Sequence, residues 1–287
     1  MLRRAIEGNY AVGYFESWNL ESLQGVIDAA EQTRSPIIIG FNGEFLSRPA
    51  RVAAERIAWY GALGKAAAQS ASVPCGVLFN ECSDDGSVRL AIASGFNSVM
   101  PADPNASYEN YVGRVAELTK LAHRRGIAVE AEIGELPRGE SGKMEDTGYM
   151  TDPELAENFV HATSVDVLAV SVGNVHVLVK GRQELDFSRL EAILAKVKIP
   201  LDLHGGTGIT DNSLRQAVSM GIAKVAFGTY LKQRYLEAIR RSLKTDEVNP
   251  HKLLGFGGEE DVMVLGRRAV REAVLERIEL LGCCGKA

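Results

Sequence analysis

Eight short apolar runs, each followed by a segment of helical period, predict an α/β fold in which a parallel sheet closes into a TIM-type (βα)8 barrel, with one extra helix at the C-terminus. A doubly wound open sheet is the competing architecture. It normally carries fewer βα units and a glycine fingerprint after its first strand, and AVGYFESWN lacks that fingerprint. The chain has 287 residues, 46% hydrophobic and 24% charged, which is enough for one large core, so a single domain over 1–287 is expected.

The units follow one another in order. AVGYFE (11–16) precedes LESLQGVIDAAEQT (20–33), and PIIIGF (36–41) precedes a helical pattern over 51–69. PCGVLF (74–79) leads to 87–94, SVM (98–100) to 108–125, and IAVEAEI (127–133) to PELAENFVHAT (153–163). VDVLAVSV (165–172) leads to 186–197, IPLDLH (199–204) to 211–220, and AKVAFG (223–228) to 229–243. The last helical segment, 259–281, is expected to pack on the outside of the barrel or in a subunit interface. Residues 134–152 are glycine-rich and charged, and long for a βα connection; an active-site lid and plain disorder both fit that composition.

A formal charge of -5, with basic residues no more clustered than Arg124-Arg125 and Arg267-Arg268, gives no electrostatic footprint for nucleic acid or an anionic membrane surface. The opening MLRRAIEGNYAVGYF lacks the apolar stretch of a signal peptide, and no apolar run is long enough to span a bilayer. A cytoplasmic protein with a small-molecule or protein partner is expected. Cys75, Cys82, Cys283 and Cys284 form no C-x-x-C pair and read as reduced thiols.

Catalytic groups of such a barrel gather where its strands end. Here those positions are Glu16, Asn42, Asn80, Glu81, Asp103, Glu132, His176, His204 and the turn Phe227-Gly228-Thr229. His123, His161 and His251 lie in helical patterns or near a turn, where solvated or capping roles suit them. His176 and His204 instead end the sixth and seventh runs. Two imidazoles with Glu81 form a donor set that suits zinc, manganese or iron, and satisfied polar groups in the barrel mouth are the other reading. The run His204-Gly205-Gly206-Thr207-Gly208 suits a phosphate cradle, since paired glycines let backbone N–H groups approach an anion and the helix that follows turns its positive end toward the loop. Gly228 and Thr229 supply a second turn at a position where barrels hold phosphate; glycine for turn geometry alone accounts for either run equally well.

These blocks resemble one known family over nearly the whole chain. AVGYFESWNLESLQGVIDAAEQTRSPIII, GFNSVM, VEAEIGEL, YMTDPELAENFV, VDVLAVSVGNVH, LDFSRLEAI, LHGGTGI and RIELLGCCGKA are similar, in order, to the blocks of class II, metal-dependent ketose-bisphosphate aldolases of the fructose- and tagatose-bisphosphate type. The resemblance implies a divalent metal, zinc first, with manganese, cobalt or iron as alternatives. It also implies a sugar or sugar-phosphate substrate and a homodimer or larger homo-oligomer. Two of the family's three zinc histidines fall on His176 and His204. Its strand-three ending, aspartate-histidine, is Asn80-Glu81 here, so the acid/base aspartate is an amide and the third histidine is a carboxylate. The second carboxylate of EAE, Glu132, is retained and counts with Glu81, His176 and His204 as a metal ligand.

Other positions depart from the pattern. An asparagine after the first strand is Glu16, a glycine is Val177, and the asparagine and aspartate around Thr229 are Ala226 and Tyr230. Asn42, Lys180, Gly205, Gly206, Thr207, Gly228 and Thr229 keep a substrate and phosphate site. Class II aldol chemistry needs a Lewis acid to stabilise the enediolate and a base for the hydroxyl proton. Asn80 cannot accept that proton. Glu81 is a ligand or the replacement base, and Glu16 and the lid residues Glu135, Glu140 and Glu145 are the other candidates. The expectation is therefore a metal-dependent aldolase, with Glu16, Asn80 and Glu81 as catalytic residues, that acts on a ketose or ketose phosphate and is not a standard fructose-bisphosphate enzyme. The alternatives are a sugar or sugar-acid epimerase or isomerase, or a non-catalytic sugar-phosphate binder.

Overall fold

The computed structural model describes residues 1–134, 149–175, 181–243 and 247–287. Among these, the strands β1 (Val12–Glu16), β2 (Ile37–Asn42), β3 (Cys75–Cys82), β4 (Ser98–Pro101), β5 (Ala128–Ile133), β6 (Val167–Val170), β7 (Leu201–Leu203) and β8 (Ile222–Phe227) pair in parallel and in sequence order. The barrel closes where Phe15 of β1 pairs with Phe227 of β8. Each strand is short and rich in β-branched or aromatic residues, and parallel strands covered on both faces favour that composition.

The helices are α1 (Leu2–Glu7), α2 (Leu20–Thr33), α3 (Gly43–Ser47), α4 (Ile57–Ser70), α5 (Asp85–Ala93), α6 (Tyr108–His123), α7 (Pro153–Thr163), α8 (Phe187–Lys196), α9 (Asp211–Met220), α10 (Thr229–Ser242), α11 (Pro250–Leu253) and α12 (Val262–Leu281). Most start on a side-chain cap that the sequence spells out. Asn19 and Ser22 form a capping box on α2, and Asp84, Ser107, Asp152, Asp186, Thr210 and Asp261 cap α5, α6, α7, α8, α9 and α12.

The two-residue period of the strands sorts their side chains into two cores. Phe15, Ile39, Phe79, Val129, Leu203 and Phe227 point outward to the helices and belong to the large core between the layers. Tyr14, Leu78, Met100, Ala169 and Ala226 point inward and plug the barrel, with Ile38 packed beside them. Polar groups on the inward face at the carboxyl ends of the strands stand on this plug.

Two expectations need correction. Helical structure was expected from 51 but α4 begins at Ile57, because 51–56 is mostly exposed and has no apolar face to bury; the connection instead carries the short helix α3, capped by the Asn42 side chain. Strand three does not stop at Phe79 but continues to Cys82.

The extra helix α12 packs on the outside of the barrel, against α2 and α10. Arg267 makes a bidentate pair with Asp28 of α2, at 2.5 and 2.6 Å. The close approach requires Gly25, since a Cβ there would lie 2.5 Å from the Arg267 carbonyl oxygen. Backbone is in the way, so rotamer changes cannot relieve the clash. Gly25→Ala is expected to destabilise the fold by about 1–3 kcal/mol, read as a lower urea midpoint.

Candidate active site

Glu81 reaches the barrel mouth by way of a defect in the ladder. β3 pairs with β4 at Phe79↔Val99 and then at Cys82↔Pro101, so β3 carries one residue more than its partner. Regular alternation would send Asn80 inward and Glu81 outward. The bulge places Glu81 at φ 48°, in the left-handed region, and turns its carboxylate into the mouth. A non-glycine residue there costs about 1–3 kcal/mol and persists only where its surroundings hold it. Two contacts do so: Glu81 Oε1 lies 2.6 Å from His204 Nδ1, and Oε2 accepts from Asn42 Nδ2 at 2.7 Å. Asn42, expected to face substrate, uses its other amide atom to cap α3.

His204 is 2% exposed and carries carboxylates on both of its nitrogens. Nε2 lies 3.1 Å from Glu130 and 3.1 Å from Asp202, while Glu132 is 3.9 Å from Nδ1. Beneath them the Lys224 ammonium bridges Glu130 at 2.6 Å and Asp202 at 2.9 Å, fully buried. Burial opposes every charge in this group, and the partners decide which survive. Burial raises the Glu130 pKa despite Lys224. Asp202 overcomes its burial through Lys224 and His204 and is held well below the usual carboxylate range. Lys224 and His204 overcome theirs through Asp202 and Glu130 and are raised.

Two groupings of donors bear on a metal. Ligand atoms of Glu130, Asp202 and His204 all lie within 4.8 Å of one another, but the Lys224 ammonium already bridges both carboxylates. The other grouping is His204 Nδ1 with Glu81 and Glu132, at 2.6 and 3.9 Å. Oxygen and nitrogen ligands around a tetrahedral metal sit about 2.0–2.2 Å from it and therefore about 3.4 Å from each other. The mouth grouping offers one imidazole and two carboxylates, donor types that suit a divalent ion, while among the described residues only the Glu130, Asp202 and His204 atoms lie mutually within 4.8 Å. His176, expected as a further ligand, lies outside the described residues, as do Val177, Lys180, Glu135, Glu140 and Glu145.

Glu16 ends β1 on the inward face and pairs with Lys232 of α10, whose ammonium lies 4.4 Å from the Phe45 ring centre. A Cβ at Gly228 would lie 2.2 Å from Glu16 Oε2, so a larger residue there would displace that carboxylate. Asn80 is buried and its Oδ1 has no hydrogen-bond partner among the described residues. In the glycine loop, Gly205 takes φ 68° and Gly206 presses against Val225, Phe227 and the Ala226 carbonyl. Thr207 Oγ1 accepts from the Tyr230 N–H, which ties the loop to the first turn of α10. The helix that follows the loop, α9, is capped by Thr210; α10, which begins at Thr229, has no side-chain cap. Tyr230 turns away from the mouth, with its hydroxyl on Glu276 and its ring under Arg277.

A family model for class II fructose-bisphosphate aldolases matches residues 1–286. The chain belongs to the class II fructose-bisphosphate aldolase family. It is 32% identical over 292 residues to a probable fructose-bisphosphate aldolase of Bacillus subtilis, covering 100% of this chain and 97% of that protein. It is 34% identical over 284 residues to the uncharacterised protein YdjI of Escherichia coli, covering 99% and 96%. The crystal structure of the YdjI aldolase from Escherichia coli K12 superposes with a TM-score of 0.81 at 30% identity, covering 100% of this chain and 96% of that one. This class II aldolase chain is thus a member of a family of divalent-metal-dependent lyases, and membership favours a lyase over the epimerase and binder readings.

Sequence reasoning missed Glu130, Asp202 and Lys224, which it read only as parts of strands five, seven and eight. Their signal was the i, i+2 spacing of Glu130 with Glu132 and of Asp202 with His204, and the lone Lys224, inside strands otherwise apolar enough to be buried. In the class II aldolase barrel that spacing marks one inward column per strand. Lys224→Met is expected to cost about 3–5 kcal/mol in equilibrium urea denaturation, because it leaves Glu130 and Asp202 buried without their cation. Adding Asp202→Asn to that variant is expected to recover part of the loss.

Proposed function

We propose that this class II aldolase cleaves and forms a ketose phosphate with a divalent metal, zinc first, held by Glu81, Glu132 and His204, with His176 as a fourth ligand. The observation that carries this reading is the bulge that aims Glu81 at His204 Nδ1. A metal bound there supplies a Lewis acid that polarises the substrate carbonyl.

The chain's own residues do the rest. Asn42 orients Glu81, and Glu130 with Asp202 orients His204 through Nε2. Lys232 pairs with Glu16 at the inward end of β1, and the Glu16 carboxylate accepts the hydroxyl proton released when the carbon–carbon bond breaks. Asn80 cannot take that proton, and its unpartnered Oδ1 accepts a hydrogen bond from a substrate hydroxyl. Gly205, Gly206, Thr207, Gly228 and Thr229 hold the phosphate at the uncapped start of α10, with Lys180 as counter-charge. Ala226 and Tyr230 remove polar groups from the mouth, which separates this substrate from fructose 1,6-bisphosphate. Assembly as a homodimer or larger homo-oligomer and a cytoplasmic location belong to the same reading, and no helix among the described residues is long and apolar enough to cross a membrane.

Elemental mass spectrometry of protein purified without chelator tests the ligand set. Near-stoichiometric divalent metal is expected in the wild type, and Glu81→Ala should weaken retention about 10–100-fold or more. Full occupancy in that variant would remove Glu81 from the ligand set. With the metal loaded, Glu16→Gln should lower kcat for ketose-phosphate cleavage about 10²–10⁴-fold while leaving metal content unchanged. An unaltered kcat would move the proton to another group.

A further inference from the structure

Tyr14 projects into the barrel from β1, two residues before Glu16 on the same inward column. Its ring packs with Leu78, Met100, Ala169 and Ala226. It also lies against Gly40, where a Cβ would come within 3.0 Å of ring carbon Cε2, and carries the Lys224 ammonium 5.1 Å from its centre. The residue is 2% exposed, and its hydroxyl has no hydrogen-bond partner among the described residues. Leaving a buried hydroxyl unpartnered costs about 1–3 kcal/mol, and a phenylalanine would fill the same space without that cost. The structure therefore carries a buried donor with no partner among the described residues.

Its place in the barrel says what the hydroxyl can serve. Tyr14 stands one inward position below Glu16 on β1 and packs against Leu78, which stands one inward position below Asn80 on β3. Glu16, Glu81, Glu130 and Asp202 are the carboxylates whose charges act on the phenol. Burial and these four carboxylates push the phenol pKa well above its ordinary value, so the group stays an O–H that can donate.

We propose that the Tyr14 hydroxyl is a catalytic hydrogen-bond donor to the substrate oxygen that becomes the aldehyde oxygen on cleavage. The proposal rests on the aldolase reading above. In cleavage the carbon–carbon bond beside the hydroxyl-bearing carbon breaks, and its electron pair stays with the carbonyl-bearing fragment. The hydroxyl proton passes to the Glu16 carboxylate and C–OH becomes C=O. Tyr14 keeps its own proton and donates to that oxygen while negative charge on it is greatest; in condensation Glu16 returns the proton to the same oxygen. Tyr14 and Asn80 then divide between them what one protonatable side chain at position 80 would do, Asn80 accepting from the hydroxyl and Tyr14 donating to the oxygen.

The test is Tyr14→Phe in the full-length, metal-loaded protein. Wild type is first assayed for cleavage of fructose 1,6-bisphosphate, tagatose 1,6-bisphosphate and their monophosphates, and the best substrate is carried forward. The expected variant keeps its metal content, has an unchanged or higher Tm and a nearly unchanged KM, and loses about 10²-fold or more in kcat. Substrate binding should also shift the ultraviolet band of a phenol in wild type, and that shift should be missing from the variant. A Tyr14→Phe enzyme with wild-type kcat overturns the proposal. So does one that loses metal and Tm together with kcat, since the hydroxyl would then be structural; both results leave the aldolase reading standing. A loaded wild type that cleaves none of these sugar phosphates overturns the aldolase reading, and this proposal with it.

Discussion

The Lys224 ammonium, buried between Glu130 and Asp202, is the interaction on which the mouth of this barrel depends. A closed barrel forces every second side chain of each strand into one dry interior, and here that places two carboxylates below an imidazole. Without a cation those carboxylates would have to protonate or repel one another. With Lys224 between them they remain fixed acceptors, and both converge on Nε2 of His204. The ring plane is thereby set, and Nδ1 is aimed at Glu81 and Glu132. The orientation of the proposed metal donor His204 thus originates one layer below it, in Lys224, Glu130 and Asp202.

The second device is the bulge in β3. One added residue changes which face a side chain occupies, because the strand period is two. It brings both Asn80 and Glu81 into the mouth, where a regular strand would present only one of them. The family resemblance gives this pair a further meaning. Aspartate followed by neutral histidine carries one negative charge over two residues, and so does Asn80 followed by Glu81. The charge has moved by one residue from the proton-transfer position to the ligand position. Under the proposed roles the proton acceptor comes from another strand, where Glu16 stands with its Lys232 partner.

Much of the fold was legible because its signals are local. Strand runs and helical periods recur in order, and caps such as Asn19, Asp152 and Thr210 mark helix starts within a residue or two. His204, Glu81 and Glu132 were legible as candidates because each ends a strand, and the structure brings these three together. Glu130, Asp202, Lys224 and Tyr14 were not, because a charged or polar residue within an apolar run reads the same whether it faces solvent, a helix or the barrel axis. Asn42 was placed with substrate for its position, whereas its amide atoms serve Glu81 and α3. Which donor meets which acceptor across 39 residues of sequence is fixed only when the strands are in register.

By itself, then, the sequence determined the barrel and its alternation of strands and helices, since period and capping chemistry act over a few neighbours, and its ordered blocks carried the resemblance to the family. Only the tertiary structure decided that Glu81 turns inward through a left-handed bulge and that Lys224 neutralises the layer beneath His204. It also decided that the Tyr14 hydroxyl has no partner among the described residues. Each of those outcomes depends on ladder register and on charges contributed by strands far apart in the chain, and neither quantity exists before the barrel closes.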